Sequence, residues 1–244
     1  MILSGNDIPF PEAGISIHQP TIKEIGVIGE ENFYCGCEFL NFSKNNLEEK
    51  DKISLENKTD FDILMTILKE KNSNLIRNRI CVEMVLSLIF PNYNIKLNSD
   101  SIVLSKEDKE FYINNNNFKQ FKTILNEIFC LKQGEGERDY NPAGELAKKI
   151  ADKLKARQKK LAQLKGQDET KEINMLGRFI SILSVGENKD MNSFFNYTIY
   201  QLLDEFNRYE LKLNYDVYFQ AKLAGAKDLK EVDDWMKDIH QDKE

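Results

Sequence analysis

Two histidines in 244 residues, at positions 18 and 240, leave the chain without the paired imidazoles on which most zinc sites and much general-base chemistry depend. Cysteine is nearly as scarce. Of Cys35, Cys37, Cys81 and Cys130 only the first two are close, and Cys35-Gly36-Cys37 is one residue short of the C-x-x-C of zinc and dithiol sites, so free thiols are expected. None of the patterns G-x-x-x-x-G-K-[ST], G-x-G-x-x-G or G-x-S-x-G occurs, and Gly134-Glu135-Gly136-Glu137 carries two acids that would repel a phosphate. No stretch approaches ~18 consecutive apolar residues and the N-terminus lacks a basic-then-apolar leader, which predicts a soluble, intracellular protein without membrane contact. These absences predict no catalytic, cofactor-binding or metal-ligating residues and hence a protein that is not an enzyme. Acid pairs drawn from Asp139, Glu145, Asp204 and Glu205 are the one catalytic option left, and with 40 acids in the chain such pairs arise by coincidence.

Proline is distributed unevenly. Four of the five lie within the first 91 residues, and after Pro142 there is none. The fold is therefore expected to be mainly α: a helix-dominated α+β domain over residues 1–131, a polar Gly/Glu linker over 132–141, and an all-α helical bundle over 142–244. In the first domain a short hairpin is predicted around Pro11–Gly14, and Thr21-x-x-Glu24 reads as a capping box. Helices are predicted over Glu30–Asn41, Asp60–Lys71 and Asn74–Phe90, the last with a buried set of Ile80, Val82, Val85, Leu86 and Ile89. Between about 93 and 113 the apolar period falls to 2, which predicts a three-stranded antiparallel meander covered by a helix from Phe118 to Leu131.

The second domain opens on a helix, 142–165, with eight Lys or Arg against two acids, a local +6 in a chain of net −6. Its apolar stripe is thin, so it is a solvated arm, a contact for an acidic protein surface, or a nucleic-acid surface; scattered charges and the lack of interleaved aromatics weigh against the last. A hydrophobic helix follows from Glu172 to Val185. A third, starting near Asp190–Asn192, spaces Phe195, Ile199, Leu202, Phe206, Tyr209 and Leu213 as a short heptad seam, and residues 194–219 hold nine of the 25 aromatics. Asp228-x-x-Glu231 then predicts a final amphipathic helix carrying Leu229, Val232, the single Trp235, Met236 and Ile239. Candidate partner-binding residues are Tyr197, Tyr200 and Trp235, which lie off the seam, with Lys155, Arg157, Lys159 and Lys160 from the basic helix.

Three stretches, Gln19–Phe33, Tyr140–Lys149 and Tyr197–Tyr209, together with the closing Ala224–Lys237, resemble tail assembly chaperones of long-tailed bacteriophages. The resemblance covers about half the chain. It implies a non-catalytic helical protein in the host cytoplasm that binds the tape measure protein, promotes polymerisation of the tail-tube protein, and is absent from the mature virion. Self-association remains a further option. The alternatives are a structural virion component of connector or baseplate type and, third, a nucleic-acid-binding phage protein.

Overall fold

The computed structural model describes residues 2–43, 58–69, 73–98, 100–131, 174–226, 229 and 231–236. The chain begins with one 3-10 turn, Ile2–Ser4, and a hairpin of β1 (Ile8–Phe10) and β2 (Ile15–Ile17), paired Ile8 to Ile17 and Phe10 to Ile15. Phe10, Ile15 and Ile17 are buried on its inner face. Thr21 then starts α1 (Ile22–Ile28) with a complete capping box: its hydroxyl accepts from the Glu24 amide while Glu24 accepts from the Thr21 amide. Gly29, at φ 85°, separates α1 from α2 (Glu30–Leu40).

Helices α3 (Asp60–Lys69) and α4 (Ser73–Ile89) lead into the meander, where β3 (Asn94–Leu97), β4 (Ile102–Lys106) and β5 (Lys109–Ile113) pair in sequence order, all antiparallel. Helix α5 (Phe118–Ile128) lays Phe118, Phe121, Leu125 and Ile128 into the core. Phe121 lies 6.0 Å from Phe10 and 6.2 Å from Phe90 between ring centroids, and Phe33 meets Phe129 edge-on at 5.0 Å. The expected central helix is α4, with Val82, Val85, Leu86 and Ile89 fully buried; Ile80 is the exception at 44% exposure, because it falls on the outward side of the helix.

Three elements complete the described chain: α6 (Met175–Glu187), a 3-10 helix (Met191–Asn196) and α7 (Ile199–Leu223). Leu176, Ile180, Leu183, Phe194, Ile199 and Leu202 join the same hydrophobic cluster as the N-terminal half. The boundary expected at 132–141 and the basic helix expected at 142–165 lie outside the described residues. Backbone bonds reinforce the shared core. Thr21 and Thr198 form an antiparallel bridge, the Ile22 amide donates to the Tyr197 carbonyl at 2.8 Å, and the Met175 and Leu176 amides donate to the Glu30 carboxylate.

Two helix expectations change. The third C-terminal helix starts at Ile199 rather than near Asp190: Thr198 and Gln201 form a second capping box, while Asp190 caps the 3-10 helix by accepting from the Asn192 amide. Phe195 therefore precedes the helix and is 38% exposed, so the seam begins at Ile199. The final helix is absent among the described residues 231–236. There the Asp234 carboxylate accepts from the Met236 amide in an Asx turn, and the Trp235 carbonyl accepts from Arg208 instead of from a helical amide.

Candidate partner-binding surface

Helix α7 has 25 residues and is about 37 Å long at 1.5 Å per residue. Ile199, Leu202, Phe206, Tyr209, Leu213 and Val217 succeed one another at steps of three and four, which places them on one stripe. The first half of that stripe is covered. Ile199 and Leu202 are buried, Phe206 sits 4.3 Å from Phe179 of α6, and the Tyr209 hydroxyl packs where any side chain on Gly186 would stand. The second half is not: Leu213 is 45% exposed and Val217 65%, with Phe219 and Leu223 also open to solvent. The apolar face thus runs on beyond the body that covers its beginning.

A second face of α7 carries Arg208, whose guanidinium donates to the Trp235 carbonyl at 2.8 Å. Arg208 also lines a cleft of about 460 Å³ with Leu3, Tyr197, Gln201 and three acids, Glu187, Asp204 and Glu205. Lys189 reaches into this group, within 2.7 Å of Glu187 and bonded to Glu205. Burial pulls the Glu205 carboxyl upward, but bonds from Lys189, Glu187 and Tyr197 outweigh it and hold it below its ordinary value. For Glu187 burial leads and, with the Glu205 carboxylate beside it, outweighs Lys189, so its pKa rises. Bonds to Glu187 and Glu205 raise Lys189, which stays a cation. Through these ion pairs Lys189, in the turn before the 3-10 helix, ties the end of α6 to α7.

At the far end of the hairpin, His18 places its Nδ1 2.9 Å from Asp7 and its Nε2 3.4 Å from Glu24, at a second cleft of about 340 Å³ that Ser16, Tyr93 and Lys106 also line. Carboxylates engage both ring nitrogens. Among the described residues, no three His, Cys, Asp or Glu side chains are placed to hold a metal ion, and no helix is long and apolar enough to cross a membrane.

The residues singled out in the sequence are distributed as follows. Tyr197 is half-buried at the junction, edge-on to Phe194 at 5.3 Å; Tyr200 is half-buried on the first turn of α7; Trp235 is half-buried beside Arg208. Arg208 connects Tyr197 and Trp235, since it lines the Tyr197 cleft and bonds the Trp235 carbonyl. Lys155, Arg157, Lys159 and Lys160 lie outside the described residues. Sequence reasoning missed Arg208, for which no local signal exists. It placed Leu213 on the same seam as Ile199 and Leu202, and apolar spacing does not reveal where the covering layer stops.

Residues 166–240 match the family described as the YomV second domain, a phage-derived family, and that stretch takes in α6, the 3-10 helix, α7 and the segment that Arg208 holds. No curated protein and no solved structure matches the chain. What the match establishes is similarity of this C-terminal stretch to a phage protein domain.

Proposed function

We propose that this chain is a non-catalytic phage tail assembly chaperone, which binds the tape measure protein and promotes assembly of the tail tube around it. The observation that carries the reading is the uncovered half of the α7 stripe, Leu213 and Val217, continuing a face whose other half is core. An amphipathic client helix laid along that face would bury it as Phe179 buries Phe206, by helix-in-groove recognition. The phage-derived family matched by residues 166–240 and the resemblance of Gln19–Phe33, Tyr140–Lys149 and Tyr197–Tyr209 to tail chaperones support the same reading. Tyr197, Tyr200 and Trp235 would be further contacts off the stripe, and the basic residues Lys155, Arg157, Lys159 and Lys160 would meet acidic client surface. No catalytic residue or cofactor enters this account. The protein would act in the host cytoplasm and leave before the virion matures.

Two measurements test it. Co-expression with the tape measure protein of the same genome should yield a soluble complex, and a mass-spectrometric inventory of purified particles should lack this chain. Stoichiometric presence in the particle would instead make it a structural virion component.

A further inference from the structure

The crossing of α2 and α4 brings together two thiols that partner binding does not use. Its cause is Gly36. With only hydrogen there, α2 approaches α4 until a Cβ at position 36 would collide with the Cys81 carbonyl and the Val85 side chain. Cys35, next to that glycine, and Cys81 therefore meet across the crossing. The bonds around them are reciprocal: the Cys35 thiol donates to the Asn78 side-chain oxygen at 3.9 Å and the Cys81 thiol to that of Asn32 at 3.7 Å, so each sulfur reaches the amide one turn before the other. The two thiols also lie within hydrogen-bonding reach of each other. A disulfide needs Cα atoms within about 7 Å and Cβ atoms that point together, and helices in backbone contact with their thiols bonded supply both. Access to solvent differs between the two. Cys35 is half-buried, whereas Cys81 is fully buried beside it.

We infer that Cys35 and Cys81 form an oxidation site, at which Cys35 reacts with a peroxide and Cys81 resolves the product into a disulfide that staples α2 to α4. The inference is independent of the chaperone reading. In the first step the Cys35 thiolate attacks one oxygen of hydrogen peroxide and the O–O bond breaks; the departing hydroxide takes up the proton that the thiol released and leaves as water, and Cys35 becomes a sulfenic acid. In the second the Cys81 thiolate attacks the Cys35 sulfur and the S–O bond breaks, and hydroxide leaves with the Cys81 proton as a second water. Two thiols give up two electrons and the peroxide takes them. Burial first, then the bond and charge of Cys81, push the Cys35 thiol up to about 11, with Glu38 acting in the same direction and the Arg77 guanidinium against it. Below that value the thiolate fraction, and with it the rate of closure, rises about tenfold per pH unit. At neutral pH the pair therefore reacts slowly and closes only under sustained oxidation. Since Glu30 at the start of α2 holds the first amides of α6, the staple also fixes the seat of the C-terminal elements against the central helix.

The test uses the full-length chain with Cys130→Ser, which removes the exposed thiol that could couple two molecules. Native protein treated with hydrogen peroxide, then unfolded, alkylated and mapped without reduction, should be about 2 Da lighter before alkylation and should yield the Cys35 peptide joined to the Cys81 peptide, with Cys37 alkylated. Closure should run about tenfold faster at pH ~8 than at pH ~7. With Cys81→Ala added, Cys35 should be trapped by dimedone as the sulfenic acid, which should not accumulate while Cys81 is present. The closed form should melt above the reduced form and return to it on treatment with dithiothreitol. Linkage of Cys35 to Cys37, no linkage of Cys35 to Cys81 after peroxide or diamide, or equal dimedone labelling with and without Cys81 overturns the site. A closed form that melts below the reduced one also overturns it, because the bond would then form only by distorting the crossing.

Discussion

A methyl group at position 36 would collide with the carbonyl of Cys81 and the side chain of Val85, because α2 and α4 cross in contact at Gly36. Backbone cannot move aside as a flexible side-chain tip can, so Gly36→Ala should cost about 1–3 kcal/mol of unfolding free energy, read from denaturant melts. An unchanged midpoint would mean that the crossing is looser than described. Lys189 is the other residue whose environment has a measurable consequence. The folded-state pKa of Glu205 is lowered, so its contribution to stability is present above the ordinary carboxylate pKa and is lost as pH falls through the folded value. Glu187 runs the other way: raised in the fold, it favours the native state at low pH and loses that contribution as pH rises through its folded value. Lys189→Met removes the cation between them, so both carboxyls should titrate higher. The variant should then be less stable than wild type at pH 7 and recover part of the difference on acidification toward pH ~5. Parallel melting curves for the two proteins from pH 7 to 5 would show that the cluster does not act as described.

At the scale of elements, the two capping boxes that start α1 and α7 stand back to back, joined by the Thr21–Thr198 bridge. Either Thr→Ala change should cost about 1 kcal/mol, and the double variant should depart from additivity because the two caps share one junction. Thr21-x-x-Glu24 was legible in the sequence because nothing competes with it. Thr198-x-x-Gln201 is written just as plainly, yet the apolar spacing that extends back to Phe195, together with the better-known cap residue Asp190, pulled the expected helix start upstream. Over the described residues 231–236 the expected final helix is missing for a tertiary reason: Arg208, some 27 positions away, takes the Trp235 carbonyl, and no local pattern announces that bond. The meander is legible as short apolar runs broken by polar turns: its edge strand β3 alternates, Ile95 and Leu97 half-buried against exposed Asn94 and Lys96, while the middle strand β4 buries Ile102, Val103 and Leu104 in succession. On α7 the stripe was visible in the sequence and its uncovered end was not.

For the whole molecule, the consequence of one shared core is that the halves should not behave as independent pieces. Phe10, Phe33 and Phe121 from one side and Leu183, Phe194 and Leu202 from the other are all buried in a single cluster. A site-specific protease sequence introduced between residues 132 and 141 and then cut should leave two fragments that co-elute under native conditions. Fragments that separate would mean that the C-terminal elements only rest against the rest. On the proposed reading, the shared core fixes the root of α7 by packing and capping, so its outer end would meet a client as preformed helix, without the ordering cost a disordered segment would incur on binding.

The most direct test of that claim compares covered and uncovered positions of one stripe. Leu213→Glu and Val217→Glu replace exposed residues, so each should shift stability by no more than about 0.5 kcal/mol, whereas Phe206→Ala on the covered half should cost about 3 kcal/mol. Affinity for the tape measure protein, measured by titration of the purified full-length chain, should fall at least about tenfold for the Leu213→Glu, Val217→Glu double variant, a loss near 1.4 kcal/mol. A double variant that melts like wild type and binds the client as tightly would contradict the account, because the uncovered stripe of α7 would then not be the surface that the client uses.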